Sequence, residues 1–68
     1  MSPANINEKN MFRNYPDIVT VSQLQEMLNI GRTYAYKLLK NQEIYNKKVG
    51  KEYKIPKIGV IEYVKRNE

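Results

Sequence analysis

The stretch Gly31–Asn41, G-R-T-Y-A-Y-K-L-L-K-N, decides how the chain is read. On a helix turning about 100° per residue, Ala35, Leu38 and Leu39 fall on one narrow side, the spacing of a stripe that docks on a core. The opposite side carries Thr33, Lys37, Lys40 and Asn41, flanked by Tyr34 and Tyr36, with Arg32 near the first turn. It holds no acid. An ordinary solvated face mixes signs, because Glu and Lys four residues apart support each other. This one presents cations, hydroxyls and an amide, the groups that donate to phosphates and to base edges. A merely soluble lysine face is the plainer alternative.

Charge outside this stretch sharpens the contrast. Between Arg32 and Lys57 eight cations face two acids, Glu43 and Glu52, whereas the whole chain of 68 residues carries only +5. The excess is therefore local, and a local excess on a small domain is the footprint expected for a polyanion partner. An anionic membrane would attract it too, but no segment joins a basic face to the broad apolar face such binding requires, so no membrane partner is expected. With no Cys and no His, a disulfide framework, a thiolate or imidazole metal site and the usual general base are all missing. No cofactor, metal ligand or catalytic residue is expected, and the fit is to a reducing cytoplasm. No apolar run reaches the roughly 18 to 20 residues of a membrane span. A chain of this length makes one domain with a thin core, burying about 60% of its surface.

Working outward toward the N-terminus, Thr20-Val-Ser-Gln23 has the form of a capping box. It starts a helix whose inward stripe is Val21, Leu24, Met27 and Leu28. Asn29-Ile30-Gly31 breaks that helix, with Gly31 supplying the backbone freedom of the bend and suiting the cap of the next helix. Ile18-Val19 is a candidate for a very short strand, and Tyr15-Pro16-Asp17 for a turn. Residues 1–16 are expected to be a flexible arm, with Ile6, Met11 and Phe12 able to cover the domain's edge and Lys9 and Arg13 able to reach a groove or phosphates. Residues 17–68 form the domain.

Toward the C-terminus the apolar period changes from that of a helix to two. Val49, then Gly50-Lys51, then Glu52-Tyr53-Lys54-Ile55 reads as a β-hairpin with a two-residue turn. The alternation predicts Val49, Tyr53 and Ile55 on one face and Lys48, Glu52 and Lys54 on the other. Lys47, Lys48 and Lys51 at its tip and edge are candidate phosphate contacts, although lysines also protect exposed strand edges from pairing. Pro56 suits the first turn of a last helix, with Ile58, Ile61 and Val64 as its stripe beside Val60, Gly59 as a weak point, and Lys65 and Arg66 near the negative end of its dipole.

Helix, turn, helix, hairpin and final helix in that order define a mainly α fold with a small β-hairpin, a winged helix-turn-helix of three short helices plus wing. From about Ile18 to Val64 the chain resembles the excisionase-type winged helix-turn-helix domains, relatives of the mercury-resistance-regulator-like domain. The resemblance lies in V-T-V-S-Q-L-Q-E-M-L-N-I-G-R-T-Y-A-Y-K-L-L-K and in V-G-K-E-Y-K-I-P. It departs at Leu24 and Gln25, where an acidic and a small residue are common, at Gln42, where Gly is common, and at Gly59, where an acid often opens the helix. The resemblance implies a double-stranded DNA binder with its second helix in the major groove. Arg32, Thr33, Tyr36 and Lys37 would then face the groove, with Tyr34 and Lys40 at its margins and Lys47, Lys48 and Lys51 on the backbone. Domains of this sort often serve as excisionases that assist an integrase on attachment-site DNA within mobile elements, and others are small transcription regulators. Binding by further copies on adjacent sites is expected as well.

Two other classes stay open at this point. An adaptor for a protein partner such as an integrase would use Tyr45, Tyr53 or Met11-Phe12, and single-stranded DNA or RNA could stack on six tyrosines. An enzyme is not expected, since three scattered Arg and no His cannot activate a tyrosine nucleophile.

Overall fold

The structure, a computed structural model, describes residues 12–67. In chain order it contains β1 (Ile18–Val19), α1 (Val21–Leu28), α2 (Arg32–Lys40), β2 (Lys47–Val49), β3 (Glu52–Pro56) and α3 (Lys57–Arg66). The expectations for residues 1–11 lie outside the described residues. Three helices and a small antiparallel sheet are the architecture anticipated above.

The capping box forms as written in the sequence. Thr20 Oγ1 accepts from the Gln23 amide at 3.1 Å, and Gln23 Oε1 accepts from the Thr20 amide at 2.9 Å. At the other end of α1 the left-handed residue is Asn29, at φ 55°, with the Ile30 amide returning to the Gln25 carbonyl at 3.0 Å. The freedom expected of Gly31 is thus supplied two residues earlier, by a side chain type that tolerates this region. Gly31 itself is extended and caps α2.

Ala35, Leu38 and Leu39 are fully buried on the inner side of α2. That helix closes through Gln42 at φ 57°, whose amide reaches Leu39 O at 3.1 Å while the Glu43 amide reaches Leu38 O at 3.0 Å. This is the paired return that glycine usually serves, and Gln42 occupies the glycine position in an uncomfortable conformation. The chain then turns inward. Ile44 is completely buried, and the buried Asn46 amide donates to Leu39 O at 3.0 Å and to Ile44 O at 2.8 Å. Asn46 therefore ties the base of the hairpin to the last turn of α2, a role its polar side chain did not announce.

β3 is the central strand. β1 pairs with it antiparallel through Ile18↔Pro56 and Val19↔Ile55, and β2 pairs through Lys47↔Lys54, Lys48↔Tyr53 and Val49↔Glu52. Gly50, at φ 64°, and Lys51 make the two-residue turn, where a Cβ at Gly50 would be strained. Residues directly opposite on paired strands share a face. This corrects the expected faces in β2: Lys48 lies with Tyr53 and Ile55, and Val49, 57% exposed, lies with Lys47, Glu52 and Lys54.

Pro56 ends β3 and stands as the cap of α3, one position before the first helical turn expected for it. Of the expected stripe Ile61 is buried beside Val60 and Val64 is half-buried, but Gly59 also takes the inner side and Ile58 is 48% exposed. The reason is a close approach: a Cβ on Gly59 would stand 3.1 Å from Tyr45 O and 3.2 Å from Tyr45 Cβ. That approach sets the rotation of α3 and turns Ile58 outward. Buried side chains from all parts meet in one core of Val19, Leu24, Ala35, Leu38, Leu39, Ile44, Ile55 and Val60, with Phe12, Tyr15, Tyr53 and Tyr63 packed against it. Phe12 and Tyr15, assigned above to the arm, pack against this domain. The Tyr15 hydroxyl donates to Glu26 at 3.2 Å, and Lys57 Nζ donates to Tyr15 O at 2.9 Å. Burial, followed by that contact with Glu26, raises the Tyr15 phenol above its ordinary range.

Candidate nucleic-acid interface

The outward side of α2 forms a shallow, open depression lined by Arg32, Thr33, Tyr36, Lys37, Lys40 and Asn41. Five of the six α2 residues singled out from the sequence meet there, and none of its lining is acidic. Gly31 gives the helix no side-chain cap, and its first turn holds no acid, so the amides at its N-terminus are left to water or to an anion.

Two further depressions continue the concavity. One, bordered by Thr20, Val21, Ser22, Gln25, Arg32 and Tyr36, runs to the start of α1. The other runs between β1 and the hairpin and includes Tyr36, Lys51, Glu52, Tyr53 and Lys54. Tyr36 borders all three. It stands at the junction of helix, helix and hairpin, with its ring edge-on to Tyr53 at 5.7 Å between centroids.

Electrostatics follow from the placement. Arg32 lies over the Tyr36 ring at 5.7 Å and Lys48 over the Tyr53 ring at 5.3 Å, within reach of the ring quadrupoles. Lys51 sits in the hairpin turn. Glu52, the acid of the hairpin, accepts from Lys54 at 2.9 Å. Both partners are well exposed, so the pair adds little stability, but it moderates the charge of Glu52 beside the cationic strip. Lys57, counted in the basic window, is instead structural: its amide donates to Asp17 O at 2.6 Å and its ammonium to Tyr15 O.

Two residues singled out from the sequence lie apart from this group. Lys47 is on the outer face of the hairpin, opposite Lys54. Tyr34 occupies the far flank of α2, where its hydrogen bond with Tyr63, reinforced by partial burial, raises the Tyr63 phenol above its ordinary range. Arg66 donates to Glu43 O at 2.6 Å near the end of the same helix. Sequence reasoning gave Tyr53 to a protein partner or to base stacking and missed its place beside the candidate duplex surface, where its ring meets Tyr36 and Lys48. The signal was present: with Gly50-Lys51 as the turn, Lys48 and Tyr53 must stand opposite one another. Among the described residues no cluster of acids, Cys or His could hold a metal ion, and no helix is long and apolar enough to cross a membrane.

With this geometry in view, comparison with known proteins gives a family. The helix-turn-helix domain family matches residues 18–68, and the chain belongs to it. It is a DNA-binding helix-turn-helix protein. Neither the curated proteins nor the solved structures return a match.

Proposed function

We propose that this protein is an excisionase-type binder of double-stranded DNA that acts in the cytoplasm without catalysis of its own. It lays α2 in the major groove at an attachment site and assists an integrase in the excising direction. The observation that carries the reading is the acid-free side of α2 running into Lys48 and Lys51 of the wing across Tyr36 and Tyr53. Arg32 and Lys37 suit guanine O6 and N7, while Thr33, Tyr36, Lys40 and the α2 amides suit phosphates. Lys48 and Lys51 contact backbone, while Lys47 on the outer hairpin face and Tyr34 on the far flank of α2 stand clear of the duplex. The depressions are shallow and open, as fits a duplex surface and not a reaction pocket.

A protein partner has its own support. Ile18 and Ile58, each about half exposed, border a depression with Pro56 and Ile61, and apolar exposure on the last helix is what docking on an integrase requires. Copies on adjacent sites would extend a short footprint.

The test is selection of sites from random duplexes by the full chain, followed by footprinting across the genomic neighbourhood. Protection at a recombination junction supports the excisionase role, and protection confined to a promoter would replace it with transcription regulation. With Lys40, Lys48 and Lys51 on phosphates, log K falls with log salt at a slope of about −3. A flat salt dependence would remove duplex DNA as the ligand.

A further inference from the structure

Arg32, Tyr36, Tyr53 and Lys48 form an unbroken series of contacts from α2 to the wing. Arg32 and Tyr36 are one helical turn apart, Tyr36 and Tyr53 meet edge to face at 63°, and Tyr53 and Lys48 are cross-strand partners. Each spacing lies within the range in which such contacts are attractive. The backbones of α2 and the hairpin, by contrast, hardly approach one another. Asn46 fixes the base of the wing to α2, and the two rings hold it further out.

We infer that Tyr53 is a positioning residue for DNA recognition: its ring seats Tyr36, and through Tyr36 it holds the Arg32 guanidinium toward the groove, while its other side holds Lys48 toward the backbone. The inference rests on the duplex-binding reading above. Its physical content is entropic. Arg and Lys carry the largest rotamer freedom of any side chains, and a cation already held over a ring loses less of it on binding. The ring matters and the hydroxyl does not, because the contacts to Tyr36 and Lys48 are made by the aromatic surface.

The test compares Tyr53→Phe, Tyr53→Leu, Arg32→Ala and the double variant Arg32→Ala with Tyr53→Leu in the full chain. Fluorescence anisotropy measures each on a duplex obtained by selection and on its scrambled counterpart, and thermal melts confirm folding. Tyr53→Phe is expected to keep the preference for the selected duplex. Tyr53→Leu is expected to lower it by about fivefold, the worth of the Tyr36–Tyr53 ring pair, while the freed Lys48 weakens both duplexes alike. In the Arg32→Ala background the same change is expected to lower the preference little further, since the residue through which it acts is gone. Should Tyr53→Leu not fold, Tyr53→Met removes the ring while keeping more of the packed volume.

Equal loss in Tyr53→Phe and Tyr53→Leu would mean that the phenol touches DNA itself and would overturn the inference. Full additivity with Arg32→Ala would overturn it too. Neither result would touch duplex binding. A wild-type chain that enriches no sequence and binds duplex without salt dependence defeats the duplex-binding reading, and this inference with it.

Discussion

The helix α2 and the β2–β3 hairpin both carry lysines toward one side of the molecule, yet they place them by different rules. In α2 the placement belongs to nine consecutive residues: three fully buried side chains fix one side, and whatever lies about 180° away faces out. In the hairpin it belongs to the register. Lys47 and Lys48 are neighbours in sequence and stand on opposite faces, because Lys48 pairs with Tyr53 and Lys47 with Lys54. Charge on a helix can be assigned from spacing alone, whereas charge on a hairpin is assigned only once the turn has been counted correctly.

The largest effect that can break this contrast is on the buried side of α2. Leu39→Ala is expected to cost about 2 to 5 kcal/mol in urea denaturation, because Leu39 is wholly enclosed and a domain this small cannot close the cavity. A loss well below that range would mean that the outward face is not held by its inner stripe. The next separates reading from attachment. Arg32→Ala is expected to weaken binding to the selected duplex by about 1 to 3 kcal/mol with little change on scrambled DNA. Equal weakening on both would reassign Arg32 to the backbone.

Asn46→Ala tests the joint between the two regions. With Leu39 O and Ile44 O each losing a buried donor, a stability loss of about 1 to 3 kcal/mol is expected, and a smaller loss would show that water replaces the amide. Within the hairpin, Lys48→Ala is expected to make the salt slope shallower by about one. Lys47→Ala on the outer face should change it less, and the reverse order would overturn the face assignment drawn from the register. The smallest effect is a gain. Gln42 holds φ 57° after α2, and Gln42→Gly is expected to raise stability by about 0.5 to 1 kcal/mol in the same denaturation assay, the relief of a left-handed side chain.

Local chemistry determined much of the molecule from the sequence alone. Thr20 and Gln23 close their box within four residues, Ala35, Leu38 and Leu39 share a side by helical geometry, and Gly50-Lys51 makes a turn without distant help. The basic side of α2 follows from the same periodicity, so the grouping of Arg32, Thr33, Tyr36, Lys37 and Lys40 on one side of that helix was legible at once. Tertiary structure decided the rest. Val49 could be placed only by pairing β2 with β3, Ile58 only by the approach of Gly59 to Tyr45, and the burial of Ile44 and Asn46 only by the chain folding back beneath α2. Tyr53 joined the candidate interface because Tyr36, seventeen residues earlier, meets it in space. A contact within one turn is dictated by backbone geometry, while a contact between elements depends on how their shared core fixes distance and rotation, which no run of neighbouring residues records.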